Sequence, residues 1–201
     1  MIIDKSQQDS LSVHLVATAF GRARLGAPQP VHRAVAALVD PTEIVGSHAT
    51  YGHLRPTRWR VWVATSTHLA YVEMEFDEDD YDAQEEIERI KSQAFSNAQS
   101  FAAARLVSAW ARPLVTATDL TASRIDQDYI HNAPGPFRLQ DIAIKFADGT
   151  RVPAEGGLSF PTHPADEDGE RWDAFVAAIR DGSRYATVEL KPEAPFRNDL
   201  T

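Results

Sequence analysis

Between Asp141 and Gly182 two local signals follow one another and leave few folds open. The dipeptide Asp148-Gly149 is flanked by the alternating Ile142, Ile144 and Phe146 before it and by Arg151-Val152 after it. Glycine takes positive φ without steric penalty and Asp tolerates it, so this dipeptide predicts a tight hairpin with one apolar face. Beyond a loop, Trp172, Phe175, Val176 and Ile179 recur at helical spacing, while Glu170, Arg171, Asp173 and Arg180 project elsewhere. Such an aromatic stripe predicts a helix laid on a sheet. It is a packing device and carries no chemistry of its own.

The remaining composition narrows the class. A chain of 201 residues, 43% hydrophobic, can bury one good core, so one domain with extensions is expected. No apolar run reaches the roughly 18–20 residues of a membrane-spanning helix, and Met1-Ile2-Ile3-Asp4-Lys5 lacks the pattern of a secretory signal, so a cytoplasmic location is expected. With no cysteine there is no disulfide, thiolate metal site or cysteine nucleophile. The net charge of −9 is unevenly placed. Glu73, Glu75, Asp77, Glu78, Asp79, Asp80, Asp82, Glu85, Glu86 and Glu88 fall in one stretch without a basic residue, and the rest of the chain is nearly neutral. That field does not favour nucleic acid.

Along the chain, residues 1–8 are polar and expected to fray. Asp9 or Ser10 would cap a helix to about Ala23, although Val13, Leu15, Ala17 and Ala19 also alternate as in a strand. Gly26 to Pro30 breaks it, and Pro30 suits the first turn of a second helix with Val31, Ala34, Val35 and Leu38 on one face, stopped by Asp40-Pro41. Strands are predicted over 44–51, over two antiparallel segments in 58–76, over 106–116 and over 119–125, with Pro113 at an edge or bulge. An acidic helix is expected to start near Tyr81 and end before Val107, and Asn132 to Pro136 reads as a loop. Gly156-Gly157 and Pro161 to Pro164 form another loop, Asp166 or Asp168 caps the last helix, and Gly182 stops it. The tail holds one strand, 185–190, before a disordered end.

Leu38-Val39-Asp40-Pro41-Thr42-Glu43-Ile44-Val45, then Thr65-Ser66-Thr67-His68-Leu69-Ala70-Tyr71, and at the end Asp173-Ala174-Phe175-Val176-Ala177-Ala178-Ile179-Arg180, resemble the motifs of bacterial pleckstrin-homology-like (PH-like) domains. The likeness covers about Val31 to Gly182. It departs at Thr42, where the family pattern has Gly, and in the acidic segment, which would be an insertion. The resemblance implies an α+β fold: an antiparallel, strongly bent, partly open β-barrel of about seven strands, closed by the C-terminal helix. Residues 1–30 would be a partly helical extension, 31–182 the domain with a helical insertion at about 77–104, and 183–201 a partly disordered tail.

Two groups of residues could carry recognition. His53, Arg55, Arg58 and Arg60 lie near one strand connection, where lipid-binding members of the resembled family hold phosphates, and the planar guanidinium suits that ligand. They could equally be solvated or pair with the acidic stretch. Asp77, Glu78, Asp79, Asp80, Asp82 and Glu85 could dock on a basic partner. Asp77 to Glu88 has the length of an EF-hand loop, but Asp82 stands where its turn glycine belongs and Tyr81 where an oxygen ligand belongs, so an acidic helix start is expected instead. The seven histidines show no metal-ligand spacing, and there is no nucleophile elbow or phosphate loop. No metal or cofactor is therefore expected. The expected function is a non-catalytic binding or assembly module acting through protein contacts, self-association included. Anionic-ligand or membrane-surface binding, and an acidic inhibitor or immunity-type role, are the alternatives.

Overall fold

A computed structural model describes residues 3–17, 24–93, 102–130, 133–155, 166–183 and 187–190. Helix α1 (Lys5–His14) is followed by the short antiparallel pair β1 (Val16–Ala17) and β2 (Leu25–Gly26), then by helix α2 (Gln29–Ala36). The first helix starts earlier than the sequence suggests, within the stretch expected to fray. Asp4 accepts from the Gln7 amide at 2.9 Å while the Gln7 side chain accepts from the Asp4 amide, so the start is capped reciprocally. Its end at His14 leaves Val16–Ala17 extended, and residues 18–23 of the expected helix lie outside the described residues. Pro30 occupies the first turn of α2, as expected. That helix ends at Ala36, and Asp40 instead caps a 3-10 turn, Pro41–Glu43.

Two sheets follow. The first is an antiparallel meander of β3 (Ile44–Gly52), β4 (Thr57–Thr65), β5 (His68–Phe76) and β6 (Ala104–Pro113), with helix α3 (Ala83–Gln93) between its last two strands. The second contains β7 (Ala117–Ile130), β8 (Ala133–Phe146), β9 (Arg151–Glu155) and β10 (Thr187–Leu190), in the order β10-β7-β8-β9. Helix α4 (Asp166–Gly182) lies between β9 and β10 in the chain. The class is α+β with mostly antiparallel sheets, and neither sheet closes into a barrel. An all-antiparallel set of about seven strands is also corrected, because β10 runs parallel to β7. Residues 133–136, expected as loop, belong to β8, since Tyr129 pairs with Pro134 and Ile130 with Ala133. Of the expected 77–104 helix, Ala83–Gln93 is helical and residues 94–101 lie outside the described residues; at its two ends Asp80 has φ 54°, outside helical geometry, and Ala104 already pairs with Phe76. Ile87 and Ile90 of this helix are exposed. The loop at Gly156-Gly157 and Pro161 to Pro164, and the end of the tail, lie outside the described residues. No helix among the described residues is long and apolar enough to cross a membrane.

The middle of the first sheet is buried on both sides, while its last strand, β6, has no buried residue. Trp59, Val61 and Val63 of β4 join Val72, Met74 and Phe76 of β5 in a core shared with Leu11 of α1 and Val31 and Val35 of α2. Their strand neighbours Trp62 and Ala64 turn the other way, into a second core with Leu120, Ile142, Ile144 and Phe146 of the second sheet and Trp172, Phe175 and Ile179 of α4. Burial on both faces explains the unbroken apolar run from Val61 to Ala64. The hairpin turn forms at Asp148-Gly149 as its sequence predicts, with Gly149 at φ 85°.

Close contact between α4 and β3 depends on Gly46. A β-carbon there would sit 2.6 Å from the Phe175 α-carbon and 2.8 Å from the Ala174 carbonyl oxygen, both of them backbone atoms that cannot swing aside. Phe175→Ala is therefore expected to cost about 3–5 kcal/mol by cavity formation. Gly46→Ala should cost about 1–3 kcal/mol by forcing the helix away. Urea denaturation reads both, and an unchanged midpoint in either variant would contradict this packing.

Candidate functional site

The basic and acidic stretches singled out in the sequence meet on one face of the first sheet. Strand alternation turns Trp59 and Val61 into the core and sends Arg58 and Arg60 to the opposite face, so the two arginines belong to β4 and not to the loop before it. Directly across on β5 stand Glu75 opposite Arg58 and Glu73 opposite Arg60. Arg105 of β6 then stands opposite Glu75 from the other side. Opposite charges in directly facing positions are the stabilising arrangement for a sheet.

The geometry follows from that register. Buried Glu75 is gripped by Arg58 and Arg105, one on each carboxylate oxygen. Glu73 accepts from Arg60 at 3.2 Å, lies 3.5 Å from Arg58, and accepts a hydrogen bond from the Tyr71 hydroxyl at 2.9 Å. The Arg105 hydrogen bond, reinforced by Arg58, holds the Glu75 carboxyl below its ordinary range. Tyr71 moves the other way, raised by burial and then by its bond to Glu73. The next row along the strands is aromatic: His48, Trp62, Tyr71 and Trp110 stand side by side, with successive ring centroids 5.4, 5.0 and 5.6 Å apart. This row joins the ion-pair ladder to the second core.

The rest of the acidic stretch is also consumed inside the molecule. Asp77 takes the Arg55 side chain at 2.8 Å and Asp79 the Arg55 amide at 2.7 Å. The His53 carbonyl accepts from the Asp80 amide at 3.0 Å, and Asp80 accepts from the Tyr51 hydroxyl. Glu78 and Glu85 bind Arg89 at 3.2 and 2.6 Å. Asp82 caps α3 through the Glu85 amide, and Glu88 accepts from Gln84. Glu86, buried, accepts from the Gln29 amide at the start of α2 at 2.8 Å, and burial pushes its carboxyl up. All ten carboxylates thus accept at least one hydrogen bond. Five of them, Glu73, Glu75, Asp77, Glu78 and Glu85, accept from arginine side chains of the same chain, and Asp82 is buried.

Of the candidate residues, the structure joins Arg55 to Asp77 and Asp79 and sets Arg58 and Arg60 against β5. It does not converge His53, Arg55, Arg58 and Arg60 on one empty cradle. Sequence reasoning missed Arg105, whose role depends on strand register, and Arg89, whose pairing with Glu85 one helical turn earlier was a local signal. Among the described residues, no group of three His, Asp or Glu side chains is arranged to hold a metal ion. A groove of about 410 Å³ lies elsewhere, across the outer face of the second sheet, lined by Ser123, Asp141, Arg151, Pro153 and Glu155 among others. Compared with protein-family models, curated proteins and solved structures, the chain matches none.

The ladder sets an acid limit on stability. Because the Glu75 pKa is depressed in the folded state, its contribution is complete above the ordinary value of 4.5 and disappears as pH falls through the lower folded value. Glu75→Gln is expected to lower the urea midpoint at pH 7, and its deficit relative to the unaltered chain should shrink as the pH drops below 4.5. A deficit independent of pH would show that the charge of Glu75 is not what holds the three strands.

Proposed function

We propose that this chain is a PH-like, non-catalytic module that acts through protein contacts. The order of its elements supports the fold part of this reading: a four-stranded antiparallel meander, a second antiparallel hairpin pair, then a helix whose Trp172, Phe175 and Ile179 fill the core between the sheets. The functional part rests on one observation. Phe137 on β8 is 71% exposed, and near it on β7 Ile125 is 45% exposed, on the long β7–β8 hairpin. Large apolar side chains displayed on a rigid sheet favour a protein contact over a soluble small-molecule site.

The alternatives start from residues that are already occupied. An anionic headgroup or phosphate at Arg55, Arg58 and Arg60 would have to displace Asp77, Glu73 and Glu75, one of them buried. A basic partner on the acidic stretch would compete with Arg55, Arg58, Arg60, Arg89 and Arg105 in the same way.

Phe137→Asp, at an exposed position, is expected to leave the urea midpoint within about 0.5 kcal/mol of unchanged stability. Affinity purification of the tagged chain from its source cell, run beside this variant, should show a protein captured by the first and lost by the second. Identical capture by both would remove the β7–β8 surface from the reading. Arginine-dependent retention on anionic vesicles would overturn the protein-contact reading itself.

A further inference from the structure

The outer face of the second sheet carries a charge pattern that is its own complement. On β8, exposed Phe137 and Lys145 and half-buried Asp141 alternate with the buried Arg138, Gln140, Ile142 and Ile144, and Ala143, buried but small, stands between Asp141 and Lys145 on their side of the strand. Strand pairing then lines up three rows across β7, β8 and β9. One row holds Arg124, Asp141 and Glu155, the middle row Thr121, Ala143 and Pro153, and the third Asp119, Lys145 and Arg151.

Two of these pairings are unfavourable inside a single chain. Asp141 faces Glu155 directly, and Lys145 faces Arg151 directly, although like charges in opposed positions of an antiparallel pair destabilise it. Arg124 lies 3.6 Å from Asp141 and relieves that carboxylate only on its β7 side. Lys145, Arg151 and Glu155 make no ion pair among the described residues. The middle row is small and uncharged, and the groove beside Pro153 opens between the acidic and basic ends.

We infer that this face binds a second copy of the chain, sheet against sheet, about a two-fold axis lying along the Thr121–Ala143–Pro153 row. The inference rests on the protein-contact reading and names the partner. Rotation about that axis keeps each strand over its own counterpart and reverses its direction. Arg124 then falls over Asp119 of the second copy, Asp141 over Lys145, and Glu155 over Arg151. Every charge in the two outer rows meets its opposite, and symmetry doubles each pairing. A two-fold axis running parallel to the strands, along β8, would instead set Asp141 over Asp141 and Lys145 over Lys145 of the second copy, like charge on like. The small middle row permits the roughly 10 Å approach of packed sheets. A C2 contact must be self-complementary, which this antisymmetric pattern is and an arbitrary charged surface is not.

The test exchanges one charge at a time on the exposed strand β9. Sedimentation velocity at about 100 μM and low ionic strength should show the unaltered chain as a dimer, weakening as salt rises toward about 0.5 M. Arg151→Glu and Glu155→Lys, each alone, should weaken self-association roughly tenfold or more, since each turns two symmetric attractions into repulsions. Mixed in equal amounts, the two variants should form a heterodimer again, because R151E against E155K restores opposite charges at every pairing. Circular dichroism checks that each variant is folded, and Lys145→Asp with Asp141→Lys puts the same question on β8 if one is not. A monomeric unaltered chain, variants that dimerise undiminished, or a mixture that stays monomeric would each overturn this arrangement. None of those outcomes alters capture of a different protein through Phe137, so the broader reading is judged separately.

Discussion

The close approach of α4 to β3 is the contact on which the rest of the architecture depends. Because residue 46 has no side chain, the helix backbone at Phe175 can come down onto the strand, and the aromatic stripe of α4 reaches the second core. That core covers the second face of β4, whose first face is already covered by α1 and α2. A strand buried on both sides has charged side chains only where coverage ends, which on β4 is at Arg58 and Arg60. The position of the charged ladder is therefore a consequence of where the helix stops covering the sheet.

The ladder in turn explains how an acidic stretch can sit inside a folded domain. Isolated exposed ion pairs contribute little, but Glu75 is buried between two arginines and Glu73 shares Arg58 with it, so the charges form one network across three strands. Removing a single arginine would leave a buried carboxylate short of a partner, which is costlier than losing an exposed pair. Farther along, Glu86 ties α3 to the start of α2, and Arg89 joins Glu78 and Glu85 while lying over the Tyr81 ring at 5.5 Å. The negative charge of this protein is thus largely structural on this side. On the second sheet, by contrast, like charges face one another directly, Asp141 opposite Glu155 and Lys145 opposite Arg151.

Much of this was legible locally. The Asp148-Gly149 turn, the stripe of Trp172, Phe175 and Ile179, the paired strands of 57–76 and the proline-started second helix all arise from interactions within a few residues, and short windows of sequence contain them. The start of α1 was legible too, in Asp4 and Gln7, but polar composition there suggested fraying. Pairings across strands were harder to read, whether distant, as for Arg105 opposite Glu75, or close, as for Pro134 opposite Tyr129. Pro134 and Pro136 read as loop residues, yet pairing with β7 draws their segment into a strand.

The sequence by itself determined the local alternation and the charge count: which residues must share a face of a strand or helix, and that ten carboxylates stand together. Tertiary structure decided what faces each of them. Whether Arg58 met solvent, phosphate or Glu75 depended on the register of β4 against β5, and Arg105 entered only when β6 paired on the far side. Likewise, the alternating charges of β8 and β9 form rows of like sign only through the register across the hairpin. Register is a long-range property, set by which faces the cores bury, and a one-residue slip would turn every one of these side chains to the other side.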